Sequence, residues 1–491
     1  MVNAAEQLIP MPGNPNDALR VNPFFPFEES GRRLLFVVEN TAFVEADDST
    51  WWLAHKIAGE QKLSRTQVLA ELTKQFGAEE AEATLEGFEQ LEVLTRHDRP
   101  SNKPDLVPAQ PDPLQSIVLH VAHDCNLRCG YCYADYGRYG DDAGMMTEEM
   151  AIEHLEQFFD QLQDKRKLHV TMFGGEPLMN LPVVFAAHKY AKERADREGR
   201  RVSFSLTTNG TLLTKELVEF FEREQFTITV SIDGPPDINN RLRPLQNGAG
   251  SYDAIMDKVK GTGIDAIARV TLTRRSLQMH RIVHHLVEAG FREVGVSPVA
   301  TGSAKFDIAP DQLPTLLDEM RMLASDFVDW AKEGKIFPFS NIRLLVDQIA
   351  AGQPRKMPCG AGTALTAVDN KGDWYACHRL VGEEQFAIGN LEEGVDVSRR
   401  LELLNDMHPR TRDACESCWA RYLCGGGCHH IAWLHSEKSQ APWMISDVFC
   451  DFLREWYRIG LYTYARMVEE APDMLGMVPR TKPACSQPMG L

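Results

Sequence analysis

Three cysteines stand close together in the first half of the chain, at Cys125, Cys129 and Cys132. They have the spacing C-x3-C-x2-C and follow an apolar stretch, residues 117–121, that is typical of a β-strand. Three thiolates on one tight loop can hold three irons of a [4Fe-4S] cube, and the fourth iron then stays open to a small molecule. A zinc site or three unrelated buried thiols are the alternatives, although zinc sites usually pair two C-x2-C knuckles or add histidine. The spacing therefore favours a reactive iron–sulfur centre.

A second group of cysteines lies in the last third of the chain. Its members are Cys359, Cys377, Cys415, Cys418, Cys424, Cys428 and Cys450. In a reducing compartment such clustering favours metal ligation over disulfides, and a zinc site over residues 415–428 is the alternative to iron. The last of the 11 cysteines, Cys485, lies in a tail rich in turn-forming residues. We expect it to be a free thiol, with a ligand role as the alternative.

Alternating apolar stretches and helical patterns run from residue 117 to about residue 300. The six predicted strands are residues 117–121, 168–173, 202–206, 226–232, 266–272 and 294–299. Repeated βα units imply an α/β fold with a parallel sheet, and six units are too few for a closed eight-stranded barrel. Polar residues gather after the first four strands. We therefore expect a partial (β/α)6 TIM-like barrel with its catalytic rim at the strand exits.

Residues 32–95 are predicted to form a small separate module of two strands and three helices. These elements are expected at residues 34–38, 42–44, 49–57, 64–75 and 79–91. Ser49 with Thr50 is expected to cap the first helix and Ser64 the second. The order is winged-helix-like, for which DNA is a common partner, but the many glutamates of this module make a poor surface for phosphates. A stiff proline-rich linker, residues 96–113, follows.

Length, composition and charge exclude several classes of protein. The 491 residues predict two to four domains, and an apolar content of 43% is enough for buried cores. The formal net charge of -18 argues against a nucleic-acid partner. No apolar stretch has the length of a membrane span, and the N-terminus lacks a basic start and an apolar signal core. We expect a cytoplasmic protein with neither a nucleic-acid nor a membrane partner.

The cysteine triplet and the segment Gly174-Gly175-Glu176-Pro177, which follows the second predicted strand, together resemble the radical S-adenosylmethionine (SAM) superfamily. The resemblance implies that the triplet holds a [4Fe-4S] cluster that cleaves bound SAM, and that the resulting 5'-deoxyadenosyl radical takes a hydrogen atom from the substrate. It also implies SAM contacts, with ordinary turn or capping roles as the alternative for the residues beyond the GGEP segment. The candidate contacts are Tyr131, Gly174, Gly175, Glu176, Pro177, Thr208, Asn209, Ser231, Arg243 and Arg269.

The later cysteines resemble the SPASM extension of radical SAM enzymes, which holds two auxiliary [4Fe-4S] clusters. The resemblance assigns Cys359, Cys377 and Cys428 to the first auxiliary cluster. It assigns to the second cluster Cys415, Cys418, Cys424 and Cys450. Some SPASM enzymes place a further cysteine ahead of the first of these, and no cysteine lies between residues 132 and 359 here. An open iron in the first auxiliary cluster is therefore expected, and the expected cofactors are three clusters and SAM.

Residues 32–455 as a whole resemble radical SAM/SPASM peptide maturases that form thioether crosslinks, most clearly over residues 120–129, 173–180 and 359–362. In these enzymes the N-terminal module is a RiPP recognition element, where a leader peptide adds a strand to a sheet edge. The implied partners are a leader-bearing polypeptide docked on residues 32–95 and a low-potential reductant such as flavodoxin or ferredoxin.

Two groups of maturases share these segments. The maturases of quinohemoprotein amine dehydrogenase join Cys sulfur to methylene carbons of Asp or Glu in the small subunit of that enzyme. The maturases of six-cysteine (SCIFF) peptides join Cys sulfur to a Thr α-carbon. The tyrosine-rich run 131–139 and the long C-terminal region favour the first group. In the implied reaction a peptide thiolate near the first auxiliary cluster attacks a carbon radical, and the surplus electron leaves through the auxiliary clusters. Asp233 is the candidate proton acceptor, with a turn role as the alternative.

Other functions stay open beside thioether formation. They are sulfatase-type oxidation of Cys or Ser to formylglycine, electron transfer without SAM cleavage, and peptide binding without chemistry. The expected domains are an N-terminal extension (1–31), the module (32–95), the linker (96–113), the barrel (114–305), a bridging helical region (306–354), the SPASM domain (355–455), and a C-terminal helix and tail (456–491).

Overall fold

The computed structural model describes residues 17–96, 111–140, 143–439, 443 and 445–476. The chain falls into two compact units. Of the described residues, the small unit comprises 17–96, 348–356 and 417–423, and the large unit comprises the others. Most of the predicted linker, residues 97–110, and the tail with Cys485 lie outside the described residues.

The small unit contains two three-stranded antiparallel sheets and three helices. Its strands and helices are β1 (Ala18–Val21), β2 (Phe24–Glu29), β3 (Arg32–Val37), β4 (Phe43–Glu45), α1 (Asp48–Ile57), β5 (Lys62–Ser64), α2 (Arg65–Phe76), α3 (Ala78–Gln90) and β6 (Leu94–Arg96). One sheet has the strand order β5-β1-β6 and the other β2-β3-β4. The two predicted strands correspond to β3 and β4 and the three predicted helices to α1, α2 and α3, with β5 between α1 and α2.

Two details of the small unit differ from the predictions. Residues 18–29, which the sequence analysis placed in an N-terminal extension, form β1 and β2 and pair with later strands of the small unit. Helix α1 is capped by Asp47, whose side chain accepts a hydrogen bond from Thr50 N (2.8 Å), and not by Ser49 or Thr50. The Asp47 carboxylate is favoured at the N-cap position because it also accepts a hydrogen bond from the Ser49 hydroxyl. Ser64 caps α2 as predicted.

The large unit is built on one sheet that contains all of the strands described in it. These are β7 (Ser116–His123), β8 (Gly144–Met145), β9 (Lys167–Gly174), β10 (Arg201–Thr208), β11 (Thr227–Ser231), β12 (Ile267–Leu272), β13 (Glu293–Pro298), β14 (Leu365–Val368), β15 (Asp373–Tyr375), β16 (Ala387–Asn390) and β17 (Gly394–Val395). The order is β13-β12-β11-β10-β9-β7-β14-β15-β16-β17, with β8 paired to β7. The first six are mutually parallel, which confirms the six predicted strands and the parallel sheet.

Helices alternate with these strands and then fill the C-terminal part. They are α4 (Glu148–Asp160), α5 (Leu181–Arg197), α6 (Lys215–Arg223), α7 (Pro236–Leu242), α8 (Tyr252–Thr262), α9 (Met279–Glu288), α10 (Leu313–Lys332), α11 (Ser340–Ala351), α12 (Val397–Met407), α13 (Asp413–Glu416), α14 (Arg421–Cys424), α15 (His429–Ser439) and α16 (Asp447–Glu470). Among the described helices, none combines the length and apolar character that crossing a bilayer requires. Helix α16 runs through residues 455 and 456, so a domain boundary there, as predicted, would cut a continuous helix.

The parallel strands form where the sequence has nearly continuous apolar runs. Strand β7 is buried at seven of its eight positions, and β9 is buried at five. Strands covered by helices on both faces require such runs. Strand β14, which comes from the predicted SPASM region, adds to β7 in parallel, with Leu365 opposite Ser116 and Val368 opposite Leu119. The parallel sheet therefore continues directly into the cysteine-rich part of the chain.

Candidate functional site

A cavity of about 220 Å³ opens at the carboxyl ends of the parallel strands. Residues from the exits of β7, β9, β10, β11, β12 and β13 line it, together with residues around Cys359, Cys377 and Cys428. Parallel strands all end at this rim, so side chains far apart in sequence meet there. All of the lining residues belong to the large unit.

Cys125, Cys129 and Cys132 follow β7 and line this cavity as free, partly buried thiols. Leu127 N lies 3.4 Å and Asn209 Nδ2 lies 3.7 Å from Cys125 Sγ. Burial raises the pKa of the Cys125 thiol to about 11 and that of Cys129 to about 12. Without a metal these thiols stay protonated at neutral pH, whereas a coordinated thiol is deprotonated outright. Convergent thiols with N–H donors aimed at sulfur fit the ligands of an iron–sulfur cluster.

Gly174 and Gly175 line the same cavity next to the cysteine loop. Gly174 has φ +122°, a conformation that side-chain-bearing residues rarely adopt. A Cβ on Gly175 would lie 2.6 Å from the carbonyl carbon of Asp124. Gly175 N donates to Ala122 O (2.7 Å), and Glu176 N donates to Asp124 O (2.9 Å). Both glycines are therefore required for the backbone after β9 to lie against the backbone that leads into the triplet.

Glu176 and Pro177 are buried and do not line the cavity. The Glu176 carboxylate accepts from Thr208 Oγ1 (2.7 Å), Leu178 N (3.0 Å) and Asn209 N (2.7 Å). Burial raises its pKa, and these three hydrogen bonds oppose that rise. Glu176 was a candidate SAM contact, and in the structure each of its carboxylate oxygens accepts at least one hydrogen bond from the protein. The carboxylate thereby fixes Thr208 and Asn209, which do line the cavity.

Tyr131, Asp233 and Arg243 form a buried hydrogen-bonded chain behind the triplet. The Tyr131 hydroxyl donates to Asp233 Oδ2 (2.7 Å) and accepts from Arg243 Nη1 (2.7 Å). Asp233 Oδ1 accepts from Thr271 N (2.9 Å). Asp233, the candidate proton acceptor, is fully buried and does not line the cavity. Both of its oxygens are engaged, and its negative charge compensates Arg243.

Ser231, at the end of β11, and Arg269, on β12, line the cavity as predicted SAM contacts should. Arg269 donates to the Ser297 hydroxyl. Burial and the nearby positive charge of Arg379 lower the pKa of Arg269 to about 10. Within the described part of the chain, neither Arg269 nor Arg379 has a carboxylate partner.

Cys359, Cys377 and Cys428 line the same cavity as the triplet. Arg379 N donates to Cys377 Sγ (3.5 Å), which resembles the N–H contact at Cys125. The structure thus gathers six of the predicted ligands at one cavity, as two sets that come from distant parts of the chain.

Three of the four cysteines in the other predicted ligand set lie near Arg412. Cys415, Cys424 and Cys450 interact electrostatically with this buried arginine, and burial lowers the pKa of its guanidinium while the cysteines oppose the effect. Cys418 falls in residues 417–423, which group with the small unit.

Several residues that line the cavity were missed by the sequence analysis, among them Arg379 and Tyr133. Arg379 and Tyr133 both line it, and the Arg379 guanidinium lies over the Tyr133 ring, 5.5 Å from its centroid. The only sequence signal was their position, since Tyr133 directly follows Cys132 and Arg379 comes two residues after Cys377.

Known proteins resemble this chain over most of its length. The serine-type anaerobic sulfatase-maturating enzyme of Bacteroides thetaiotaomicron is 26% identical over 362 residues, which are 64% of this chain and 82% of that enzyme. The cysteine-type enzyme of Clostridium novyi is 24% identical over 379 residues, 72% of this chain and 96% of that enzyme. The mycofactocin maturase MftC of Mycolicibacterium smegmatis is 25% identical over 328 residues, 64% of this chain and 77% of that protein.

The fold is also similar to that of solved structures. The structure of native anSMEcpe with bound AdoMet and Kp18Cys peptide has a TM-score of 0.61 at 18% identity, covering 74% of this chain and 100% of that one. At this identity the likeness shows the fold alone. Residues 119–273 match the family model of the radical SAM superfamily, for which a [4Fe-4S] cluster and SAM are implied. The matched segment includes the cysteine triplet and the two glycines, so this part of the chain is similar to a radical SAM domain.

Proposed function

We propose that this protein is a radical SAM maturase that forms thioether bonds within a polypeptide, between Cys sulfur and a side-chain carbon of Asp or Glu. Relatives named as sulfatase-maturating enzymes and a mycofactocin maturase support a protein or peptide substrate. The observation that carries the proposal is the cavity itself. Both cysteine sets and two arginines without carboxylate partners line it.

The charge of the cavity favours an anionic substrate group. None of its lining residues is Asp or Glu. The charge of Arg243 is compensated by Asp233 through Tyr131. Arg269 and Arg379 lack such compensation, and the charge of Arg379 contributes to the lowered pKa of Arg269. Two neighbouring cations in a partly buried site are stabilised by carboxylates, which bind guanidinium groups in bidentate geometry.

Two carboxylates need places in the proposed reaction, one on SAM and one on the acceptor residue. Arg269 lies on strand β12 of the radical SAM domain, so we assign it to the SAM carboxylate. Arg379 is anchored beside Cys377 and against the Tyr133 ring, so we assign it to the acceptor carboxylate. An arginine held by stacking positions its ligand with little loss of side-chain freedom, which orients the acceptor carbon toward the radical.

The cofactors follow from the ligand sets. Cys125, Cys129 and Cys132 would hold the cluster that binds SAM, and when loaded this pair supplies the 5'-deoxyadenosyl radical. The first auxiliary cluster would be held by Cys359, Cys377 and Cys428. The second would be held by Cys415, Cys418, Cys424 and Cys450. We further propose that a leader-bearing polypeptide docks on the small unit as an added strand, and that flavodoxin or ferredoxin supplies electrons.

A direct test is to incubate the anaerobically reconstituted enzyme with SAM, dithionite and leader peptides that carry one Cys and one Asp, Glu or Thr. Thioether formation removes two hydrogens and consumes the thiol, which alkylation detects. Tandem mass spectrometry then locates the bond. The proposal requires crosslinking with Asp or Glu. Products with Thr alone would identify a Cys-to-Thr α-carbon maturase instead.

Formylglycine formation is the second candidate, because two of the relatives are sulfatase-maturating enzymes. The same assay distinguishes formylglycine formation from thioether formation. Oxidation of Cys to formylglycine replaces sulfur by oxygen and also removes two hydrogens, and oxidation of Ser removes two hydrogens while an added Cys thiol stays free. Reaction of the product with an aldehyde probe would support this candidate and contradict thioether formation.

A further inference from the structure

Two histidines and an aspartate of the large unit meet outside the cavity. His280 and His284 lie on α9, and Asp326 lies on α10. The His280 Nε2 atom is 2.9 Å and the His284 Nε2 atom is 2.7 Å from the same oxygen, Asp326 Oδ2. One ligand atom from each of the three residues lies within 4.8 Å of the other two. Both imidazoles are thus directed at one carboxylate oxygen.

The local structure holds this arrangement in place. His280 and His284 are one helical turn apart, so their rings project from the same face of α9, with centroids 4.3 Å apart. The His284 ring packs on Phe337 (5.4 Å). Glu319 Oε2 accepts from His280 N (2.8 Å), which ties α9 to α10 a second time. The three side chains are 28–35% exposed, so an ion can reach them from solution.

The donor set has the chemistry of a transition-metal site. Histidines spaced i, i+4 on a helix with a nearby carboxylate are a recurrent zinc-binding pattern. Donors around a tetrahedral zinc ion, at about 2.0–2.1 Å from it, are separated by roughly 3.3 Å. The two N–O distances here are 2.9 and 2.7 Å, so shifts of a few tenths of an ångström would admit the ion. In the described residues Asp326 has no lysine or arginine partner to compensate its charge.

We propose that His280, His284 and Asp326 form a binding site for a divalent transition metal, with Zn²⁺ the best fit, and with water completing the coordination. The mixed imidazole and carboxylate ligands suit Zn²⁺ better than Mg²⁺ or Ca²⁺, which take oxygen ligands. The site is separate from the cysteine sets, and its metal would link α9 of the barrel to α10.

The test uses the holoenzyme with its clusters loaded, stripped of loose metal and equilibrated anaerobically with one equivalent of ⁶⁵Zn²⁺. The wild type should retain one zinc per chain at constant iron content. His284→Gln should bind zinc at least about tenfold more weakly, since ligand geometry is lost. The matched control is His285→Gln on the same helix, where the histidine instead bonds the Tyr252 hydroxyl (2.7 Å). It should bind like the wild type. Asp326→Asn, which retains an oxygen acceptor, is the second test variant should His284→Gln fail to fold.

X-ray absorption at the zinc edge identifies the ligands. The proposal requires a shell of nitrogen and oxygen at about 2.0–2.1 Å without sulfur. Sulfur at about 2.3 Å would show that zinc had entered a cysteine site instead. Equal binding by wild type, His284→Gln and Asp326→Asn, or no retained zinc in the wild type, would overturn the proposal and leave Asp326 as a hydrogen-bond acceptor for two imidazoles.

Discussion

The Tyr131 hydroxyl donates a 2.7 Å hydrogen bond to Asp233 and thereby links the cysteine loop to the end of β11. Arg243 donates to the same hydroxyl, and its charge interacts with Cys129. The positive Arg243 and the negative Asp233 are thus held together next to the cysteine triplet, the proposed ligands of the SAM-binding cluster. The field that this pair exerts on the cluster is expected to tune its reduction potential.

Removing the charge of Arg243 and removing the charge of Asp233 should shift the reduction potential in opposite directions. Arg243→Gln leaves Asp233 uncompensated, which disfavours the more negative reduced cluster and lowers the potential. Asp233→Asn leaves Arg243 uncompensated and raises it. We expect shifts on the order of 50 mV, close to a tenfold change in a one-electron equilibrium. Redox titration monitored by EPR measures both, and the double variant, which removes both charges, should return toward the wild-type value. Shifts of the same sign in both single variants would contradict this role.

Glu176→Gln should weaken SAM binding although Glu176 does not line the cavity. A glutamine amide must direct its N–H₂ group toward either Asn209 N or the Thr208 and Leu178 donors. One donor then loses its acceptor, at a cost of about 1–3 kcal/mol in unfolding free energy. Thermal unfolding and calorimetric SAM titration measure the two effects. Glu156→Gln, at a surface residue that bonds Tyr190, is the control. Unchanged SAM affinity in Glu176→Gln would show that Asn209 and Thr208 hold their positions without the carboxylate.

Gly175→Ala should prevent loading of the SAM-binding cluster at the cysteine triplet. The added Cβ would lie 2.6 Å from the Asp124 carbonyl carbon and 3.1 Å from Gly137 Cα, and backbone atoms cannot move aside as a flexible side chain can. The control is Gly261→Ala on α8, where nothing lies within 4 Å of the new methyl group. Alanine is preferred over glycine in a helix by up to about 1 kcal/mol, so this variant should be at least as stable as wild type. Iron and sulfide analysis should show a loss of about four irons in Gly175→Ala only.

Arg379→Met should slow crosslinking to an Asp or Glu acceptor without abolishing SAM cleavage in the absence of peptide. A charge-assisted hydrogen bond contributes about 1.5–3 kcal/mol, so we expect a loss of roughly ten- to a hundredfold in kcat/KM. Arg399→Met, at an arginine of α12 that does not line the cavity, is the matched control. Equal losses of SAM cleavage and crosslinking would instead place Arg379 in cofactor binding.

Acid should destabilise the barrel through His169, which is buried on β9. Burial lowers the pKa of His169 to about 4, and its ring nitrogens bond the Ser203 and Ser205 hydroxyls (2.9 and 2.8 Å). The unfolded chain takes up this proton near pH 6.5 and the folded chain only near pH 4. The stability that His169 contributes is therefore present above pH 6.5 and is lost as the pH decreases. The loss is about 2 kcal/mol between pH 8 and pH 5.

The measurement is the thermal midpoint of His169→Asn and wild type across this pH range. The variant should lose less stability than wild type on acidification. His55→Asn, at an exposed histidine, should follow the wild-type slope. Parallel slopes in all three proteins would show that His169 is not a source of the acid sensitivity.

Strand positions and ligand types could be predicted from the sequence because both are local patterns. The buried strands are continuous apolar runs, and the cysteine sets have characteristic spacings. Strand β2 was missed because Pro26 and two glutamates interrupt its pattern. The role of Glu176 could not be predicted either, since its partners Thr208 and Asn209 lie more than thirty residues away. Likewise, which arginine is compensated depends on Asp233 meeting Arg243 through Tyr131, and only the folded chain shows this.

The pairing of β14 with β7 also constrains how the protein is made. Residues 365–368 complete the side of β7 that faces away from β9, and they leave the ribosome long after residues 116–119. Until then the growing chain exposes an apolar strand edge, which is a template for aggregation. Truncation before residue 365 should yield an insoluble product, and not a working minimal radical SAM domain.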